Sequence, residues 1–90
     1  MIDRFYGYLV DMGLKEYTSS GRKSTVYSYC NRIEKICARE GITIGALPEK
    51  IDELIRKYDI GGAEEKYGIS SSRTPINALK AYKDFLCQNV

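Results

Sequence analysis

Apolar residues recur at steps of three and four along four stretches of the chain, a spacing typical of amphipathic helices. The first stretch covers 2–10, and Gly13 follows it as a residue able to close a helix in a left-handed conformation. The second stretch covers 24–40, with Ser24 as the predicted cap and Gly41 as the predicted end. These two patterns predict a short opening helix and a long second helix.

The second half of the chain predicts two further helices and a short helical turn. The third helix is expected to open at 47–48, because proline is tolerated in the first turn, and to end before 61–62. One helical turn is predicted within 63–67. The last helix is expected to begin around 71–75, with a serine or threonine cap and Pro75 in its first turn.

The apolar positions of the four patterns predict the core of the fold. No useful length of chain alternates with a period of two, so no strand is expected. Amphipathic helices bury their apolar faces by packing together, which predicts an all-α fold, a small bundle of four to five helices. The predicted core positions are Ile2, Phe5, Tyr6, Leu9, Val10, Val26, Tyr29, Cys30, Ile33, Ile36, Cys37, Ile51, Leu54, Ile55, Tyr58, Ile76, Leu79, Tyr82, Phe85 and Leu86.

Length and composition are those of one globular unit. Ninety residues are predicted to form a single domain, 1–90. A hydrophobic fraction of 43% and a charged fraction of 29% exclude a disordered or low-complexity chain. Neither a membrane span nor a signal peptide is expected, because no apolar run approaches about 20 residues. An odd number of cysteines argues against a disulfide framework, so Cys30, Cys37 and Cys87 are predicted to be small buried hydrophobes in a cytoplasmic protein.

The residue inventory argues against an enzyme. The chain has no histidine, which removes the commonest general base and metal ligand. No metal-ligand spacing is present, so neither a metal nor a cofactor is expected. Adjacent Glu64 and Glu65 diverge by 100° on a helix and do not form a catalytic pair. Both are expected to lie away from any contact surface, so that changing them does no harm.

Positive charge is concentrated in two separated segments, although the net charge is only +2. Segment 21–41 carries three more positive than negative charges, and segment 73–90 carries two more. Segment 42–72, between them, has an excess of two negative charges. The two basic segments can act together only if the fold brings them together.

A helical projection places most of these cations on exposed faces. On the second helix four polar residues fall within roughly 60° of arc, opposite the apolar stripe: Ser28, Arg32, Lys35 and Arg39. On the last helix Arg73, Asn77 and Lys80 share one side. Phosphates and purine edges accept hydrogen bonds from this set of donors, although a solvated surface accounts for the same pattern.

The order of these features resembles one family. The resemblance rests on an opening helix with Tyr8-Leu9 before Gly13, on Thr25 and Tyr29 near the start of the long helix, and on a closing pattern. The closing pattern is Thr74, Asn77-Ala78-Leu79-Lys80, Tyr82-Lys83 and Phe85-Leu86. The chain resembles the N-terminal core-binding, SAM-like helical domain of the tyrosine recombinases, the phage-integrase family. The resemblance extends from about Phe5 to Leu86 through degenerate positions.

The resemblance implies a helical bundle that grips double-stranded DNA beside the cleavage site, as one jaw of a clamp used in DNA integration and recombination. It implies no catalysis, because the family's catalytic residues lie in a separate domain that this chain does not contain. In such domains the second and last helices commonly face the major groove. The predicted DNA-binding residues are Lys23, Thr25, Ser28, Arg32, Lys35, Arg39, Arg73, Thr74, Asn77 and Lys80.

The alternative hypothesis is a helical protein–protein interaction module that keeps the fold without binding DNA. It is favoured by the acidic residues of segment 49–65 and by eight tyrosines, a residue type enriched in interfaces. The partner on this hypothesis is another protein or a second copy of the chain. The two hypotheses differ in whether the basic faces of the second and last helices come together.

Overall fold

Five α-helices contain most of the residues that the structure, a computed structural model, describes, namely 2–14 and 25–88. The helices are α1 (Ile2–Asp11), α2 (Thr25–Glu40), α3 (Leu47–Tyr58), α4 (Glu65–Gly68) and α5 (Ser70–Gln88). A single 3-10 turn at Ile44–Ala46 leads into α3. No strand occurs among the described residues, and the predicted all-α bundle is confirmed.

Helix α5 forms the centre of the bundle and packs against each of the other four helices. The predicted stripes supply most of the core, and Leu47 and Ala78 join them. Six predicted core residues are only partly buried and pack against the edge of the core: Tyr6, Val10, Tyr29, Cys30, Ile55 and Leu86. The buried hydrophobic residues are Phe5, Leu9, Val26, Ile33, Ile36, Cys37, Leu47, Ile51, Leu54, Tyr58, Ile76, Ala78, Leu79, Tyr82 and Phe85.

Aromatic rings attach α1 to the central helix. The ring centroid of Phe5 lies 5.0 Å from that of Tyr82 and 5.7 Å from that of Phe85. The planes of these pairs are inclined by 61° and 57°, in the tilted to edge-on geometry that aromatic quadrupoles favour. The short α1 therefore gains its stability from packing, since an isolated helix of 10 residues is marginal in water.

The ends of α1 and α2 follow the glycine positions in the sequence. Gly13 and Gly41 adopt φ values of +89° and +68°, in the left-handed region that glycine enters without a steric penalty. After α2, the N–H of Ile42 donates to the carbonyl oxygen of Cys37 at 3.0 Å, which closes the helix. The predicted ends of both helices are confirmed, and the predicted cap Ser24 lies outside the described residues.

The predicted start of α5 lies within one residue of the observed start, but the predicted place of Pro75 in the first turn is wrong. The helix begins at Ser70, so Pro75 is its sixth residue and not part of its first turn. Arg73 has a φ of +66°, which separates the opening turn from the long regular part of the helix. Because this interruption lies two residues before Pro75, the missing N–H of the proline falls where the regular helical path restarts. The proline is tolerated there because a residue at the start of a helical segment has no intrahelical partner for its N–H.

The connection between α3 and α4 folds back on the end of α3. Gly61 adopts a φ of +91°, and the N–H of Glu64 donates to the carbonyl oxygen of Lys57 at 2.8 Å. A Cβ atom added at Gly62 or Gly68 would overlap backbone atoms at the end of α3. These glycines therefore allow α4 to lie directly against α3. This contact positions the loop between the two helices, residues 59–64.

The cysteines are buried to different degrees. Cys37 is buried, as predicted, and Cys30 is only half-buried. Cys87 is exposed, so the prediction that all three are buried hydrophobes is wrong at this residue. Cys87 is the last but one residue of α5.

Candidate nucleic-acid interface

The outer face of α2 carries the first set of candidate DNA-binding residues. Ser28, Lys35 and Arg39 are exposed, whereas Arg32 and the helix-opening Thr25 are half-buried. The opposite face of α2 supplies four residues to the core, so the apolar spacing turns the basic residues outward. The predicted basic face is present in the structure, and Arg32 lies at its edge against a neighbouring helix.

The second set lies at the start of α5 and along its outer side. Arg73 and Lys80 are exposed, and Thr74 and Asn77 are half-buried. Ile76 and Leu79 on the same helix are fully buried, which fixes the direction in which the polar residues face. The left-handed conformation of Arg73 is strained for a residue with a Cβ atom, because that atom approaches the following carbonyl oxygen.

The loop between α3 and α4 contacts one cation from each set. Nη2 of Arg39 lies 2.5 Å from Oε1 of Glu64, and Nζ of Lys80 lies 3.3 Å from Oδ2 of Asp59. Because these two carboxylates are only five residues apart, the ends of the two basic faces meet at one loop. Helices α2 and α5 also pack directly against each other. The fold therefore brings together the two basic segments that are separated in the sequence.

The pKa of Asp59 reflects this arrangement. The N–H of Ile60 donates to its Oδ1 at 2.8 Å, and this hydrogen bond is the main cause that lowers the pKa of the Asp59 carboxyl. The hydrogen bond from Lys80 and the charge of Arg73 lower it further. Asp59 is therefore ionised at neutral pH, and its negative charge opposes the positive charges of Lys80 and Arg73.

Tyr67 of α4 connects the two arginines of the α2 face. The guanidinium carbon of Arg39 lies 4.1 Å from the centroid of the Tyr67 ring, and that of Arg32 lies 5.9 Å away. Nη1 of Arg32 also donates to the Tyr67 hydroxyl at 3.5 Å. These cation–π contacts orient both guanidiniums along the side of the helix and hold α4 against α2.

A second polar cluster lies beside Arg39, where α2 ends. The Tyr58 hydroxyl donates to Oε2 of Glu40 at 2.6 Å, and Nζ of Lys57 donates to Oε1 at 2.9 Å. The hydrogen bond from Tyr58, followed by that from Lys57, lowers the pKa of Glu40. Burial is the main cause that raises the pKa of Tyr58 to about 12. This cluster joins the end of α2 to the end of α3 and fixes the position of Arg39 relative to the loop.

Replacing Glu40 with Gln should lower the free energy of unfolding at neutral pH by about 1–2 kcal/mol, because charge-assisted hydrogen bonds become neutral ones. The pKa of Glu40 is lowered in the folded state, so its contribution is present above the ordinary glutamate pKa and is lost as the pH falls through the lowered value. Urea denaturation of both proteins at neutral pH and at about pH 3 should therefore show a difference that shrinks in acid. A difference of equal size at both pH values would contradict this role.

One sequence-based expectation about this surface changes. Glu64 and Glu65 were expected to lie away from it, yet Glu64 binds Arg39 and Oε1 of Glu65 accepts the Gly61 N–H at 2.9 Å. That expectation is wrong for Glu64, because the tight glycine turn carries its carboxylate back to Arg39 of α2, whereas Glu65 bonds within its own loop. The candidate Lys23 lies outside the described residues.

Sequence reasoning missed Tyr67 and the loop carboxylates as members of this surface. Tyr67 belongs to a helix of four residues, too short to show an apolar period. The sequence feature that could have located this turn is the set of three glycines, Gly61, Gly62 and Gly68, which marks a close approach of two backbone segments. That signal locates a turn but does not specify which helix the turn faces.

Three further observations complete the description of the surface. Within 2–14 and 25–88, no three cysteine or carboxylate side chains cluster in a way that could hold a metal ion. None of the described helices has the length and apolar character needed to cross a bilayer. Comparisons with protein-family models, with curated proteins and with solved structures gave no significant match to this chain.

Proposed function

We propose that this helical domain binds double-stranded DNA through the outer faces of α2 and α5. The observation that carries the proposal is that Arg39 and Lys80, from two basic segments far apart in the sequence, contact the same short loop. Two basic faces that meet at one loop support phosphate binding better than either face alone, because nearby positive charges act together on the DNA backbone.

The proposed contact has two components. Exposed Lys35, Arg39, Arg73 and Lys80 bind backbone phosphates, which gives affinity without sequence preference. Half-buried Asn77 lies among them on α5, and an asparagine in a major groove can donate to and accept from an adenine edge. The domain contributes positioning, and we assign it no chemical step of its own.

The resemblance to the core-binding domain of tyrosine recombinases supports the same surface. In that family the second and last helices commonly face the major groove, and the equivalent helices here are α2 and α5. The proposed role is therefore one jaw of a clamp around a duplex, in a protein that acts in DNA integration or recombination. We place this role in the cytoplasm, where the three thiols stay reduced.

The combined variant Lys35→Ala, Lys80→Ala tests this surface. Neither side chain belongs to the core, so the fold should be retained. Each lost phosphate contact should weaken binding by about eightfold near 0.1 M salt, because one fewer counterion is released from the DNA. The double variant should therefore bind a labelled duplex roughly 60-fold more weakly, to a similar degree for unrelated sequences.

A matched control removes the same charge elsewhere. Lys50 and Arg56 are exposed on α3, a helix that carries none of the candidate residues. The variant Lys50→Ala, Arg56→Ala should keep affinity within about threefold of the starting protein, since only the general field of the domain changes. If both double variants lose affinity equally, net charge and not this surface is responsible, and the proposed interface is wrong.

A protein partner is the second candidate function. Ile60, on the same loop as Asp59, is 67% exposed, and Ile69 at the end of α4 is also exposed. Apolar side chains beside carboxylates and tyrosines suit a protein interface better than a phosphate backbone. If the purified domain has no affinity for DNA, this apolar part of the loop becomes the favoured contact surface.

A further inference from the structure

The loop between α3 and α4 neutralises the proposed DNA-binding surface from within the same chain. Glu64 pairs with Arg39 of α2, and Asp59 pairs with Lys80 of α5. The charge of Arg73 acts on Asp59 as well. Three candidate cations, Arg39, Arg73 and Lys80, are thus opposed by two carboxylates from one loop.

These ion pairs are open to competition from solvent. The side chains of Arg39 and Lys80 keep 41% and 47% of their surface exposed. Arg39 also lines an open cleft of about 540 Å³ formed with residues 62–67. A phosphate can therefore approach either cation without disturbing the core, and exposed ion pairs of this kind are weak.

We propose that Asp59 and Glu64 are internal counter-charges, which occupy Lys80 and Arg39 until DNA phosphates replace them. This inference rests on the proposed function and concerns its regulation. The loop lowers the affinity for DNA in two ways, because each carboxylate must release its cation and then lies close to an incoming phosphate of the same charge. The two carboxylates supply two of the 12 negative charges that leave the chain with a net charge of only +2.

The geometry of the loop does not depend on these negative charges. The N–H groups of Gly62 and Glu64 donate to the carbonyl oxygens of Asp59 and Lys57 and hold the loop. The left-handed conformation of Gly61 allows its turn. Asparagine at position 59 can still accept the N–H of Ile60, and glutamine at position 64 can still accept from Arg39. The variant Asp59→Asn, Glu64→Gln therefore removes two charges and retains the hydrogen-bond acceptors.

The experiment compares this variant with a control of equal charge. Asp52 forms a similar exposed pair with Lys83 at 2.7 Å, and Glu53 beside it is exposed, both on α3. The control Asp52→Asn, Glu53→Gln raises the net charge by the same amount on α3, at a pair whose cation, Lys83, is not a candidate DNA-binding residue. Each protein is titrated with a labelled random-sequence duplex at several salt concentrations, after circular dichroism has shown equal helix content.

The inference predicts that Asp59→Asn, Glu64→Gln binds about five- to twentyfold more tightly than the control variant at about 0.1 M salt. The dependence of log K on log salt should also steepen by one to two units, roughly one for each released cation. Equal affinities and equal slopes for the two variants, with clear DNA binding by the unaltered domain, would overturn the inference and leave the proposed function intact. If no variant binds DNA, the proposed function and this inference both fail.

Discussion

Gly68→Ala is expected to lower the free energy of unfolding by about 2–4 kcal/mol. Gly68 is buried at the end of α4, and an added Cβ atom would overlap the carbonyl oxygen of Tyr58. The obstacle is backbone, so a change of side-chain rotamer cannot relieve it. The two helices would have to separate, which would also pull Tyr67 away from the arginines of α2. Urea denaturation followed by circular dichroism measures this loss.

Gly7→Ala provides the matched control for this substitution. Gly7 is exposed on α1, and a Cβ atom there meets no other atom within 4 Å. Because alanine favours a helix interior more than glycine does, this change should raise the free energy of unfolding by about 0.5–1 kcal/mol. If both variants shift the denaturation midpoint in the same direction and by the same amount, the close approach of α4 to α3 is wrong.

Ile33→Ala is the second substitution with a large expected effect, a loss of about 2–5 kcal/mol in the free energy of unfolding. Ile33 has no exposed surface and lies in the core, to which α2 contributes its apolar face. Removing three carbon atoms forfeits their burial and leaves a cavity that the packed helices fill only in part. For a domain of this size such a loss is a large share of the total stability.

Ile60→Ala is the control that tests whether burial, and not the residue type, determines the loss of stability. The substitution is chemically identical, but Ile60 is 67% exposed on the loop between α3 and α4. We expect the free energy of unfolding to change by no more than about 0.5 kcal/mol. Comparable losses for the two isoleucine variants in chemical denaturation would show that α2 does not bury the face described here.

Much of the fold could be predicted because apolar spacing within one helix is a local property of the sequence. The stripe that contains Ile33 and Cys37 specifies which side of α2 is buried, and the basic face follows as its opposite. Gly13 and Gly41 mark helix ends because few other residues adopt their left-handed conformation. These predictions did not require knowledge of how the helices pack.

The remaining features depend on contacts between elements distant in the sequence. Arg39 and Glu64 are 25 residues apart, and Arg32 and Tyr67 are 35 residues apart, so no local pattern reports that they meet. Both contacts depend on the turn that carries α4 back over α3. The exposure of Cys87 has a similar origin, because it depends on which helices reach the end of α5.

The net charge of the candidate surface also depends on contacts between elements distant in the sequence. The sequence places Arg39 and Lys80 on outward faces, and counting charges treats both as available cations. The structure pairs each of them with a carboxylate of one loop, so the surface is less positive than its lysines and arginines indicate. A modest affinity that falls as the salt concentration rises is therefore the expected signature of DNA binding by this domain.

The salt dependence of duplex binding by the unaltered domain tests the central claim most directly. About four to six phosphate contacts from α2 and α5 predict a slope of log K against log salt of about −4 to −5, so that affinity falls roughly 500-fold between about 50 and 200 mM salt. Fluorescence anisotropy of a labelled duplex, titrated at several salt concentrations, gives this slope. Absence of binding at about 50 mM salt, or an affinity that does not change with salt, would contradict the account.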